Sequence, residues 1–244
     1  MRRSLWIYAW KVMTMLSMRK NNGNKKKYML FLFAVIAGIC CVLPAFSETE
    51  LETALQSALA RPDDPGVQAF LARAYNKNGE YGKAASVARS ALEISPGFPP
   101  GLLELAHASR FQGDHECAVE VYKSYLGTHP TSEEALAGNS ESLAMLQMWE
   151  ESFGSAGAII RLFPKSHSGY GALGRTYRLA GRFEEAAGLL KQGISIKEND
   201  AEILFDLGLC SVELGDREQA LECYKKLVDI DTELSRKLFE VLYP

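Results

Sequence analysis

His107, His115, His129 and His167 are the four histidines of this 244-residue chain, and imidazole is the side chain that titrates nearest neutral pH. No two of them stand three or four residues apart, the spacing that sets two metal ligands on one helix face. A metal site is therefore not expected, and each histidine reads as a surface or turn residue. Glu133-Glu134, Glu150-Glu151 and Glu184-Glu185 have the residue type of a general acid and base. Catalytic carboxylates converge from separate elements, however, whereas neighbours on one helix diverge by about 100°. These pairs read as solvated or first-turn helix charges. The stretch from Gly169 to Gly174 mimics a glycine-rich phosphate loop without a strand before it. Neither a Gly-x-Ser-x-Gly elbow nor a P-loop is present. Past the first 47 residues three cysteines remain, Cys117, Cys210 and Cys223. An odd number argues against a disulfide framework and for buried thiols, with a Cys210–Cys223 bridge as the alternative. No catalytic residue, cofactor or metal is expected, and the chain reads as a non-enzyme.

What could position side chains is a ruler of 34 residues. Gly79, Gly113, Gly181 and Gly215 fall on it, with Gln147 at the missing tick. Eight residues before each tick stand Leu71, Leu105, Asn139, Leu173 and Leu207, followed by Ala72, Ala106, Ser140, Gly174 and Gly208. Five after each tick come Ala84, Ala118, Ser152, Ala186 and Ala220, and seventeen after come Pro96, Pro130 and Pro164, then Glu198 and Thr232. Small residues at fixed places suit helices whose backbones approach closely. A tick residue must take positive φ, which glycine does without steric cost, so the Gln147 turn is expected to be altered or mildly strained. The prolines are expected to end the second helix of each unit at a constant place.

The fourth unit, Tyr170-x2-Leu173-Gly174-x2-Tyr177-x3-Gly181-x-Phe183-x2-Ala186, resembles the tetratricopeptide repeat nearly in full. Unit three departs most, with Asn139, Ser140, Leu143 and Gln147 at the marked positions. The resemblance implies an all-α, right-handed superhelical solenoid of helix hairpins. Its units are residues 65–98, 99–132, 133–166 (degenerate), 167–200 and 201–234. A half-repeat helix within 48–64 precedes them and a capping helix within 235–244 closes them. Each unit buries its apolar faces only against its neighbours.

The resemblance also implies that the first helix of each unit lines a concave groove for a protein or extended peptide. Carried over position by position, that groove comprises Phe70, Arg73, Asn76 and Lys77; Leu103, His107, Arg110 and Phe111; Glu141 and Met145; Arg175, Arg178 and Leu179; and Phe205 and Leu209. Glu104, Asp206 and Glu213 fall on the same face. Arg73, Arg110, Arg175 and Arg178 form a basic stripe suited to a carboxylate or acidic segment. The family's clamp for a terminal carboxylate is missing, since Ala69, Arg73, Glu104, Glu134 and Gly138 stand in its places.

Residues 1–47 are a different kind of sequence. They hold eight basic residues and no acidic one, which leaves residues 48–244 with 19 basic against 30 acidic residues and a formal charge of −11. That sign disfavours a nucleic-acid partner. Tyr28–Ser47 is a run of 20 uncharged residues after Lys25-Lys26-Lys27. It reads as a signal peptide starting from Met18 and cleaved after Ser47, or as an uncleaved single-pass anchor. Lipidation at Cys40 or Cys41 is disfavoured because neither follows the Gly, Ala or Ser that a lipoprotein signal wants. In both main readings the repeats face the far side of a membrane, which the chain touches only through this segment. The expected function is an exported scaffold binding a protein or peptide, or else an anchored assembly factor presenting a client to a membrane-bound machine.

Overall fold

The computed structural model describes residues 49–243; the apolar leader expected within residues 1–47 lies outside them. Twelve helices and no strand occur among the described residues. α1 (Glu50–Ala60) leads. Five hairpins follow: α2 (Pro65–Lys77) with α3 (Tyr81–Ile94), α4 (Pro99–Gln112) with α5 (His115–Thr128), α6 (Glu133–Met145) with α7 (Trp149–Leu162), α8 (His167–Leu179) with α9 (Phe183–Ile196), and α10 (Ala201–Glu213) with α11 (Arg217–Ile230). α12 (Thr232–Leu242) closes the array, starting ahead of the expected boundary at 235 because the Asp231 carboxylate accepts from the Glu233 and Leu234 amides. None of the described helices is long and apolar enough to cross a membrane.

Helix starts follow capping chemistry. Asp64, Ser132, Ser166 and Asp200 each accept a backbone amide at the head of α2, α6, α8 and α10. The turn within each hairpin closes on a left-handed residue. Gly79, Gly113, Gly181 and Gly215 have φ of 74°, 83°, 75° and 73°, and Gln147 joins them at 59°. Its turn is not altered: Met148 N donates to Leu143 O at 2.9 Å, as Glu80 N donates to Tyr75 O at 2.9 Å. The pattern is a Schellman closure, and it imposes positive φ whichever residue occupies the place. Proline is not the only terminator of the second helices. α9 and α11 end at the same repeat position as α3, α5 and α7, although Glu198 and Thr232 stand where the others have proline. The extended backbones of Lys197 and Asp231 stop them.

Core packing is local and divides along the chain. Ala54, Leu71 and Ala74 join α1 to α2. Ala72, Ala84, Ala88, Leu105 and Ala108 join α2, α3 and α4, and Leu103, Ala118, Tyr122 and Ala135 join α4, α5 and α6. A larger cluster runs from Ala186 to Leu242 through Leu204, Leu227 and Leu238. A fully buried leucine such as Leu238 contributes roughly 2 kcal/mol by transfer. Between these two halves, where α6, α7 and α8 meet, the small positions hold hydroxyls. The Ser140 and Ser152 oxygens lie 3.1 and 2.9 Å from Thr176 Oγ1, and Ser152 also donates to Ser140 O at 2.8 Å. All three residues are buried. The three thiols are free; burial pushes Cys210 up to about 12 and Cys223 up to about 11, so both stay protonated and unreactive.

Candidate functional site

The first helices of units two to five, with Tyr81 and α12, enclose an open groove of about 1200 Å³. Nine of the residues expected to face a ligand line it: His107, Arg110, Phe111, Glu141, Met145, Arg175, Arg178, Leu179 and Phe205. The other six do not. Phe70 packs against the α1–α2 cluster and Leu209 against the C-terminal one. Lys77 Nζ donates to both Glu50 carboxylate oxygens at 2.8 and 2.9 Å. Arg73 and Asn76 are turned to Glu104. Leu103 is corrected outright: it is buried with Ala106, Tyr122 and Ala135, because α6 is laid over that face of α4.

The arginines are not a free basic stripe, for each meets a carboxylate of its own chain. Arg73 Nε donates to Glu104 Oε1 at 2.6 Å, and Asn76 Nδ2 to Glu104 Oε2 at 3.0 Å. Three repeats on, Arg175 Nε donates to Asp206 Oδ2 at 2.7 Å and Arg178 Nε to Asp206 Oδ1 at 2.8 Å. Arg175 also reaches Glu202 at 2.9 Å, and Arg110 reaches Glu141 at 2.6 Å. Burial alone would depress Arg175, but Asp206, Glu141 and Glu202 outweigh it and hold the guanidinium protonated. These contacts latch neighbouring first helices together. Their signal is legible in retrospect: Arg73–Glu104, Arg110–Glu141 and Arg175–Asp206 share a separation of 31 residues.

His107 is another correction. Its side chain is only 14% exposed, with its ring 5.9 Å from that of Tyr122, because α4 carries it into the groove wall instead of the surface. Burial, helped by Arg110 and Arg73, lowers it to about 4, so it is neutral at neutral pH. Its 3.5 Å approach to Glu134 is then not an ion pair. Burial and nearby Glu104 raise Glu134. That residue, read from sequence as a solvated helix charge, is a groove residue; it shares a repeat position with Glu202, which also lines the groove. Its neighbour Glu133 does cap structure, accepting from the Ser168 hydroxyl at 2.6 Å.

Apolar surface lies on one lip. Phe111, Met145 and Leu179 hold the same position in three successive first helices, and Phe111 and Met145 are 50% and 51% exposed. Tyr81 stacks on Phe111 with centroids 4.8 Å apart, and the Arg110 guanidinium lies 3.9 Å from the same ring centre. Tyr81 is a groove residue that its repeat position alone did not reveal. Beneath the floor, Gly138 rests on the fully buried Tyr122.

Stacked hairpins around an open trough define a helical-repeat scaffold. Residues 65–108 and 177–236 each match the tetratricopeptide repeat family, and the chain is a tetratricopeptide repeat protein. Such repeats are those of a protein–protein interaction scaffold. No curated protein matches the sequence. Among solved structures, the thermophilic TPR protein TTC0263 of Thermus thermophilus is 21% identical with a TM-score of 0.67, over 74% of this chain and 100% of that one. A tetratricopeptide repeat protein from Parabacteroides merdae is 17% identical with a TM-score of 0.70, over 80% of this chain and 77% of that one. MamA of Desulfovibrio magneticus RS-1 is 18% identical with a TM-score of 0.52, over 68% and 96%. At these identities the likeness is one of fold.

Proposed function

We propose that this chain is an exported, non-enzymatic scaffold that holds a protein or extended peptide in its groove within the cell envelope. The groove itself carries the reading. It is long, open and walled by rigid helices, and it presents half-exposed Phe111 and Met145 where a partner's side chains can be desolvated. The non-enzymatic part rests on how its charged groups are used: guanidiniums and carboxylates engage one another, His107 is held neutral against Tyr122, and the buried thiols are protonated. Export rests on the basic cluster and the uncharged run Tyr28–Ser47.

Capture from native extracts with the tagged full chain, beside a Phe111→Ser/Met145→Ser variant, tests the groove. Partners lost in the variant support it, and equal recovery removes it. The same uncharged run is long enough to span a bilayer at about 1.5 Å per residue, which favours a second reading, an anchored assembly factor presenting a client protein to a membrane-bound machine. N-terminal sequencing with carbonate extraction separates the two. A mature chain starting at Glu48 and washing free is the exported form; a full-length chain retained by the membrane is the anchored one.

A further inference from the structure

We propose that the groove takes a cationic segment of a partner protein, with apolar side chains seated on Phe111, Met145 and Leu179 and a lysine or arginine at Glu134. The inference rests on the groove reading above and names its partner's chemistry.

The apolar half of the argument is the lip. Three successive units present a large apolar side chain at one repeat position, two of them half exposed, all lining a single groove. Solvation gains nothing from that arrangement, whereas a chain crossing the first helices would cover all three in turn.

The charge half reverses the expectation of an acidic ligand. An acidic segment would need a guanidinium, and each one in the groove already has a partner: Arg110 has Glu141, Arg175 has Asp206 and Glu202, and Arg178 has Asp206. Drawing any of them to a ligand would break an ion pair within the chain, and the Asp206 carboxylate that Arg175 and Arg178 share is only 3% exposed. Carboxylates also outnumber cations on the lining, seven to four, so the vacant capacity is for positive charge. Glu134 is the clearest case. Its near neighbour His107 is uncharged at neutral pH, and the Glu134 side chain is 64% exposed. Arg73 and Arg110 act on Glu134 only from a distance, each being bonded to Glu104 or Glu141, so a ligand ammonium or guanidinium would be its direct counter-charge, and the −11 charge of residues 48–244 would favour its approach.

The test uses the full chain and fluorescein-labelled 12-residue peptides read by anisotropy. One peptide carries three leucines among lysines, a second the same leucines among glutamates, and a third serines in place of the leucines among the lysines. The leucine–lysine peptide should bind about tenfold tighter than either of the others. Glu134→Gln should weaken it about fivefold and Phe111→Ser/Met145→Ser about tenfold, with unchanged circular dichroism in both variants. If the leucine–glutamate peptide binds equally well or better and is lost in the Phe111/Met145 variant, the cationic partner is overturned and the groove stands. If the leucine–lysine peptide ignores the Phe111/Met145 variant, proposal and groove fall together. Binding of none of the three overturns the proposal, while the capture experiment still decides the groove.

Discussion

Arg175 Nε donates to Asp206 Oδ2 across 2.7 Å, and this bond from α8 to α10 repeats, three units later, the one from Arg73 to Glu104. The two latches differ in burial. The Asp206 carboxylate is shared by Arg175 and Arg178, both about four-fifths buried, whereas Arg73 is 49% exposed. Stranding a buried cation costs more than stranding one that water can reach. Asp206→Ala should therefore lose about 3 kcal/mol and Glu104→Ala about 1–2 kcal/mol in urea unfolding. Equal losses would show that the paired latch is no more buried in energetic terms than the solvated one.

Gln147 sits at φ 59° in a turn whose counterparts are glycine. A side chain there costs roughly 1–2 kcal/mol of steric strain, and glycine recovers it less its own greater unfolded-state entropy. Gln147→Gly should raise stability by about 0.5–1 kcal/mol, seen as a higher denaturant midpoint at constant slope. A lower midpoint would mean that the glutamine makes contacts outweighing the strain.

A β-carbon on residue 138 would lie 2.3 Å from the Tyr122 hydroxyl oxygen and 2.5 Å from Cζ. Gly138→Ala must push that ring out of a site where it is fully buried, at about 2 kcal/mol by overpacking. Tyr122→Phe alone removes a hydroxyl that makes no regular hydrogen bond, so it should change stability by less than about 1 kcal/mol. Added to Gly138→Ala it should restore only part of the loss, because Cζ remains too close. Thermal melts of the three variants would read this, and a harmless Gly138→Ala would refute the close approach.

His107 stands at about 4, below its ordinary 6.5, chiefly through burial. The unfolded chain then binds the proton more readily, so the contribution of His107 is whole above pH 6.5 and is lost as pH falls toward 4. The loss is on the order of 3 kcal/mol. Glu134, raised by burial and Glu104, works in the opposite sense and blunts the slope. His107→Phe should flatten stability between pH 6.5 and 4, and NMR titration of the wild-type ring should find its midpoint in the lower part of that window. A midpoint near 6.5 would contradict its burial.

Legibility in the sequence follows the range of the forces involved. Helix pairs, turns and small crossing residues are set by contacts inside one unit, so Gly79, Ala84 and Leu71 announce them at fixed offsets. The groove depends on which way a first-helix residue faces once the next unit is laid down. Leu103 and Phe205 share a repeat position, yet only Leu103 is buried in the core, where Ala135 of the following unit meets it. Charge was harder still. Arg175 reads as a free cation until Asp206, a unit away, is placed beside it, and Glu134, the solvated first-turn charge it reads as, joins the groove only when α4 brings His107 alongside. Gln147 marks the reverse limit, a poor residue type held in the required conformation by its neighbours.

The Ser140–Ser152–Thr176 contact sets a polar seam between two apolar blocks of one compact solenoid. Hydroxyl bonds weigh less in net terms than the methyl packing found on either side, so amides of α6 to α8 should exchange with deuterium sooner than those of α3 or α11. The seam joins α6 and α8, the two helices that carry Met145 and Leu179 into the groove. A partner laid across both would staple the blocks, and its grip would register as slowed exchange far from the residues it touches.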